Sequence, residues 1–445
     1  MDLKLWRRGF FWTAILVSCV ALAGAPTSAL ATRLHATLLR STPAADARLT
    51  TRPESIRLVF SEAVVAELSQ IVVTGSAGTA QTLRVSLDPR DNHVLIGDVA
   101  PLPAGTHKVA WRIVSTDGHP IAGNFSFTLI AAATDSAPVF PPESAVATPI
   151  AAGADQPAPI DESPSGDKGT PKLVSVLRGL GVGSVMAGVG LLLFGGAAGA
   201  RRNLNPGILA VRLLAAGALA LAGHMAAWLY HISPGRGLSD TFGASALTST
   251  LGMVESARVL LAILAFWAMT RGRRQIALIL GIGCLAVSGT VGHSAAIQPT
   301  LAIPAKIVHL LAGSVWLGGL LWLGWTYRRD MTAFRIEARR VSFIALLAWL
   351  AVAASGVAQA YLFLDGPRDL VSTSYGRLVL VKIGGLLLLT ILGAYNRFRL
   401  VPYLDDSRRG RKLSRSITQE LAVMAAIILV SGFLANVPIP APPTP

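Results

Sequence analysis

The sequence predicts a multi-domain chain in which an all-β domain precedes an all-α polytopic membrane bundle of about eight helices. Three observations predict it. Of the 445 residues, 52% are hydrophobic and only 14% are charged, which excludes an ordinary soluble protein. From residue 172 onward, apolar runs long enough to cross a ~30 Å hydrocarbon core follow one another. Between residues 32 and 131 those runs give way to short ones that alternate apolar and polar, the period of half-buried strands.

Residues 1–31 read as an export signal. Lys4, Arg7 and Arg8 form its basic end, Phe10 to Ala23 its apolar core, and Ala29-Leu30-Ala31 a small-residue cleavage site. The segment that follows, 32–131, is therefore expected outside the cytoplasm. Its runs Ile56-Leu58-Phe60, Ile71-Val73, Leu83-Val85-Leu87, Val94-Ile96, Val109-Trp111-Ile113 and Phe125-Phe127-Leu129, punctuated by Gly and Pro, predict a small antiparallel sandwich or barrel of about seven strands. The last two runs flank a turn containing Asp117, Gly118, His119 and Pro120. A carboxylate and a neutral imidazole two residues apart suit a divalent metal such as Cu(II) or Zn(II), although Asp-Gly also makes turns for no reason beyond geometry. His93 and His107 are read as surface residues.

Residues 132–171 are rich in Ala, Pro, Ser and Asp without periodicity, and are expected to form a flexible tether with ~35 Å root-mean-square reach. Eight spans follow, at 173–199, 206–231, 247–269, 275–296, 301–326, 339–363, 376–398 and 418–437, so that the membrane domain covers 172–438 and residues 439–445 are a tail. The net charge of +15 could indicate nucleic acid were it carried by a soluble domain, but most of the arginines lie in short loops between spans. Arg201-Arg202, Arg271-Arg273-Arg274, Arg328 to Arg340 and Arg397 to Arg415 occupy alternate loops, while the intervening loops hold little beyond Arg236, Arg368 and Arg377. The basic loops are expected to be cytoplasmic. An even number of spans then places both ends of the bundle outside, in agreement with the exported first domain.

Ionisable groups in hydrocarbon are costly and default to functional candidates. His224 and His309 both fall roughly 10–12 Å below the outer surface at 1.5 Å per residue. Glu255, Arg258 and Lys382 share that half of the bilayer, and His231 and His293 mark span ends at the same side. Met225 and Met253 lie at similar depths, where thioethers beside imidazoles would suit Cu(I). The set reads as a pathway open to the outside, with interhelical hydrogen bonding as the plainer alternative for each residue taken singly. Of the two cysteines, Cys19 and Cys284, neither implies a disulfide or a thiolate site. No P-loop, nucleophile elbow or triad pattern is present, and the chain is read as a non-enzyme.

Several stretches carry a resemblance. Trp111 to Leu129, WRIVSTDGHPIAGNFSFTL, and the opening HATLLRSTPAADARL are similar to the CopC periplasmic copper-binding domain. GHSAA at 292–296, VHLLAGSVWLGGL at 308–320 and YGRLVLVK at 375–382 with AYNR at 394–397 look like the CopD membrane domain. Together they resemble a CopC–CopD fusion over nearly the whole chain. The resemblance implies a cupredoxin-like or Ig-like Greek-key barrel whose Cu(II) ligands are His35, Asp117 and His119. It also implies a bundle of the bacterial inner membrane that passes Cu(I) or Cu(II), with His224, His231, His293 and His309 as candidate ligands. Cleavage after Ala31 would give the terminal amine to Thr32, which departs from family members whose histidine is itself the first residue. No methionine occurs between residues 32 and 170, so a Met-rich Cu(I) site is absent there. The expected partners are copper ions, the lipid bilayer and a periplasmic copper donor or recipient, with no nucleic acid. Uptake is the reading favoured, and it should weaken as pH falls through the histidine range because only neutral imidazole binds metal. The alternatives are a membrane redox protein, with haem or copper reduction at paired histidines, and a membrane-anchored periplasmic copper chaperone without transport.

Overall fold

The computed structural model describes residues 37–76, 78–116, 118, 120–130, 172–197, 206–232, 249–296, 298–364 and 366–437. The signal segment, the tether and the tail lie outside them, as do His35, Asp117 and His119. The described residues fall into two compact units, one on either side of the tether.

The first unit is a two-sheet sandwich of nine strands: β1 (Leu38–Thr42), β2 (Arg48–Leu49), β3 (Ser55–Phe60), β4 (Gln70–Gly75), β5 (Ala80–Thr82), β6 (Arg84–Asp88), β7 (Asp91–Asp98), β8 (Gly105–Val114) and β9 (Pro120–Leu129). One sheet runs β1-β3-β7-β6 and the other β2-β9-β8-β4-β5. The two strands beyond the expected seven are β2 and β5, too short to leave an alternating signature. β2 also departs from the antiparallel rule by pairing parallel with β9. Elsewhere the pleat sorts residues as the sequence anticipates. Ile56, Leu58 and Phe60 of β3 face Val109, Trp111 and Ile113 of β8 and Phe125, Phe127 and Leu129 of β9 in one apolar core. Phe60 meets the Trp111 ring edge-on at 5.2 Å. Trp111 pairs across the ladder with Gly123, where any Cβ would come within 2.4 Å of the indole, so the glycine is the space the ring occupies.

His107 corrects the surface reading. It lies on the inward register of β8, two residues before Val109, and is fully buried with Nε2 2.8 Å from the Pro103 carbonyl and the ring tilted over Phe127. His93 is partly buried, and its backbone N–H donates to Asp91.

Among the described residues the second unit contains eight long helices: α1 (Lys172–Ala197), α2 (Gly207–Ile232), α3 (Thr250–Thr270), α4 (Arg274–Gly289), α5 (Pro299–Arg329), α6 (Met331–Phe363), α7 (Ser374–Tyr395) and α8 (Ser407–Leu434). Seven are long and apolar enough to cross a membrane, and α4 is a shorter apolar helix of 16 residues. Each expected span has its helix. The fourth differs: it stops at Gly289, turns through Thr290 to Gly292 and resumes as a single helical turn, His293–Ala296. Gly292 takes φ +83°, a conformation that an L side chain rarely adopts.

α1 lies at the centre, packed on α2, α4, α5 and α8. Its closest crossing is with α5, where a Cβ on Gly190 would fall 1.9 Å from the Ser314 carbonyl oxygen and one on Gly318 would fall 2.1 Å from the Gly190 carbonyl carbon. Small residues let helix backbones meet in a medium where apolar burial alone does not drive association. α6 and α7 carry large exposed apolar side chains such as Leu350, Val357, Leu387 and Ile391, the belt expected of a lipid-facing surface. At the end where α3 leads into α4, Arg271 lies over the Trp267 ring, and Arg329 lies over Trp325 where α5 leads into α6. Such basic and aromatic residues mark a membrane interface.

Candidate functional site

In the sandwich the chemistry-bearing stretch is the loop from Ser115 to His119 that joins β8 to β9. Its base is fixed by the Val114–Pro120 pair and by an isolated bridge between Val64 and Ser115. Thr116 N–H donates to the Ala63 carbonyl at 2.9 Å and Gly118 N–H to the Ser115 carbonyl at 2.9 Å. Gly118 has φ +95°, the left-handed conformation that turns the chain between the two candidate ligands. The three expected copper ligands of this unit, His35, Asp117 and His119, lie outside the described residues.

In the bundle, polar groups gather near the N-terminal ends of α1 and α5 and the break after α4. The break frees backbone groups that hydrocarbon cannot satisfy. Lys306 of α5 donates to the Val291 carbonyl and, at 3.2 Å, to Ser294 Oγ, while Ser294 itself donates to the Gly289 carbonyl at 2.9 Å. Arg178 of α1 approaches from the opposite wall. A methyl on Gly292 would lie 3.3 Å from Arg178 Nη2 and 4.0 Å from Lys306 Nζ.

A cavity of about 490 Å³ opens beside this break, walled by parts of α1, α5, α6, α7 and α8. It is mainly apolar, with His293, His309, Arg178, Arg258, Lys306 and Lys382 as its basic lining. His293 is buried, with Tyr375 and Phe363 edge-on at 5.7 and 6.3 Å. His309 Nδ1 is 3.0 Å from Ser355 Oγ, and that hydroxyl donates to the Ala351 carbonyl at 2.6 Å. With the hydroxyl hydrogen so committed, Nδ1–H donates to Ser355 and Nε2 carries the lone pair, the state in which imidazole binds a metal.

The other two candidate histidines lie elsewhere. His224 on α2 is buried, donates through Nδ1 to the Val174 carbonyl at 3.0 Å and turns Nε2 toward Glu255 Oε2 at 4.0 Å. Glu255 in turn accepts from Arg258 Nη2, one helical turn on in α3. Of this buried chain, Arg258 lines the cavity, and Glu255 also acts through space on Arg178 and Lys306 in the cavity wall. His231, at the end of α2, is partly buried and outside the cavity lining. Met225 is buried, whereas Met253 is half exposed. Among the described residues no three His, Cys, Asp or Glu side chains come together as a metal cluster. The cavity thus presents two imidazoles in its lining, those of His293 and His309. Sequence reasoning missed Arg178 and Lys306. Both were detectable as isolated charges about two turns inside an apolar run.

A β-sandwich with a pinned ligand-type loop, followed by a polytopic bundle with a histidine-bearing cavity, defines the class: a membrane protein joined to an N-terminal β domain. The comparisons carry this further. The CopC domain profile matches residues 38–130, and that of copper resistance protein D matches 336–434, from α6 to α8. The copper transport protein CutJ of Bacillus subtilis is 25% identical over 465 aligned positions, covering 99% of this chain and 80% of CutJ. Copper resistance protein C of Escherichia coli is 37% identical over 105 positions, covering 21% of this chain and 81% of that protein. Among solved structures, that of PcoC, a methionine-rich copper resistance protein from Escherichia coli, aligns over 21% of this chain and 98% of PcoC at 36% identity, with a TM-score of 0.19. The chain belongs to the CopC–CopD fusion family.

Proposed function

We propose that the protein is a copper importer of the bacterial inner membrane, capturing Cu(II) outside the cytoplasm with its sandwich and passing copper inward through the bundle. The observation that carries this reading is the union of both family halves in one chain, matched along 99% of its length by a copper transport protein. His35, Asp117 and His119 are the proposed capture ligands, with the Ser115–His119 loop as their platform. His293 and His309 are the proposed contacts of the metal in the cavity, and His224 and His231 flank the same end of the bundle. Orientation is supported by charge. Arg271, Arg273 and Arg274, Arg328 and Arg329, and the run from Arg397 to Arg415 lie in connections of one end, against Arg368 and Arg377 near the other. The domain limits proposed are 1–31, 32–131, 132–171, 172–438 and 439–445.

A second reading, capture by an anchored sandwich without transport, is favoured by one observation: the absence of a three-ligand cluster among the described residues of the bundle. Copper accumulation by cells expressing the full chain separates the two. If the bundle conducts, wild type raises cellular copper, His309→Ala brings it back to the vector level, and His119→Ala lowers it only at low external copper. If accumulation survives His309→Ala and is lost with His119→Ala, the bundle is an anchor.

A further inference from the structure

The charge of the cavity is not what passage of a bare metal cation calls for. Arg178, Arg258, Lys306 and Lys382 line it, and no aspartate or glutamate among the described residues does. Glu255 sits behind Arg258 and engages one nitrogen, Nη2. Nε and Nη1 of the same fully buried guanidinium have no hydrogen-bond partner among the described residues. Buried donors are nearly always paired, so these two N–H groups call for acceptors, and a guanidinium favours the oxygens of an anion. Across the cavity, Arg178 Nη2 and Lys306 Nζ converge over Gly292, a position kept free of any side chain. Lys306 uses two of its three donors on neutral acceptors, and Lys382 has no hydrogen-bond partner among the described residues. The same cavity has apolar walls, and at its side Val357 of α6 and Ile383 of α7 are 70% and 42% exposed. A molecule with an acyl chain therefore has a lateral route in.

We propose that this cavity binds an oxyanion group, a carboxylate or phosphate, between Arg258, Arg178, Lys306 and Lys382. The group can belong to a small free anion or to the headgroup of an anionic phospholipid. The site stands on the cavity's own charge and does not depend on copper passage. If copper does pass, the anion supplies the negative charge that holds a cation beside His293 and His309.

The test uses the full chain in copper-free nanodiscs of phosphatidylcholine, titrated calorimetrically with citrate and with inorganic phosphate. Parallel discs contain phosphatidylglycerol, with bound lipid read by native mass spectrometry. A free-anion site gives saturable heat that is roughly tenfold weaker in Lys382→Gln and retained in Lys382→Arg, whether or not phosphatidylglycerol is present. A headgroup site gives bound phosphatidylglycerol that is lost in Lys382→Gln and kept in Lys382→Arg. The proposal is overturned if neither anion nor lipid binds the wild type, or if Lys382→Gln binds as tightly as Lys382→Arg. Copper accumulation, measured separately in cells, reports on the transport reading and leaves this outcome unchanged.

Discussion

Each half of the chain sets an arginine against a carboxylate, and the two pairs could hardly be placed more differently. On the sandwich, Arg57 Nη2 reaches Asp88 Oδ2 at 2.6 Å between β3 and β6, with side chains 43% and 18% exposed. In the bundle, Arg258 meets Glu255 one turn away on α3, with side chains 0% and 4% exposed. The sandwich keeps charge at its surface and packs its interior with apolar residues, with His107 and Ser115 the buried polar ones among the described residues. Its candidate chemistry sits on a loop that the core does not need. The bundle does the reverse, bringing its charges onto the inner faces of the helices that hold it together. Function and stability are therefore separable in the first unit and entangled in the second.

The largest effect expected from that entanglement is at the α1–α5 crossing. Gly318→Ala places a methyl 2.1 Å from a backbone carbon of Gly190, and two helix backbones must move apart to admit it. Size-exclusion chromatography of the detergent-solubilised protein should show loss of most of the monodisperse species. Gly324→Ala, on the same helix with nothing within 4 Å of its Cβ, should elute as wild type. Equal behaviour of the two variants would remove close backbone approach as what holds this bundle.

Next is the buried pair. Glu255→Gln leaves the Arg258 guanidinium without its counter-charge and takes from His224 the carboxylate it faces. Breaking a buried pair on one side costs about 3–5 kcal/mol, whereas replacing both partners by apolar groups is often neutral. Thermal melting of the purified full chain should therefore fall steeply for Glu255→Gln, and the double variant Glu255→Gln with Arg258→Met should recover much of the loss. If the double variant melts lower still, Arg258 supports the fold by contacts other than Glu255.

The two units also differed in how much of them could be read from sequence. Strand alternation in β3, β8 and β9 and run length in the helices made both architectures legible, because each periodicity reports one buried face. Carried two residues further, the alternation of β8 also places His107 with Val109 and Trp111 on the core side, which a surface reading overlooked. The helix break at Gly289 was hidden, since the apolar run continues through it and hydropathy is blind to backbone conformation. Arg178 and Lys306 were visible as charges, but their meeting over Gly292 depends on how α1 crosses α5, which no local pattern encodes. The Asp117–His119 motif rests on its residue types and its family resemblance, both residues lying outside the described ones, while the pinning of the neighbouring Val114 and Thr116 by Ala63 to Val65 is a contact between segments distant in sequence.

The smallest effect belongs to the surface pair, and it has a defined sign. Asp88 is held below the usual aspartate range, chiefly because its carboxylate accepts from the Arg90 backbone N–H, at 3.0 Å, and then from the Arg57 guanidinium. A carboxylate lowered in the folded state contributes stability that is fully present above its unfolded pKa of about 3.9 and is lost as pH falls through the lower folded value. A fragment covering residues 36–131 contains a single tryptophan, Trp111, which reports unfolding of the core. Its urea midpoint should decline as pH drops below about 4, and Asp88→Asn should flatten that part of the decline. Because the pair is exposed, added salt should shrink the difference between the two proteins. A difference that persisted in high salt would mean that the Arg90 backbone hydrogen bond, rather than the charge of Arg57, stabilises the ionised form. Asp88 would then act as a turn residue between β6 and β7 rather than as half of an ion pair.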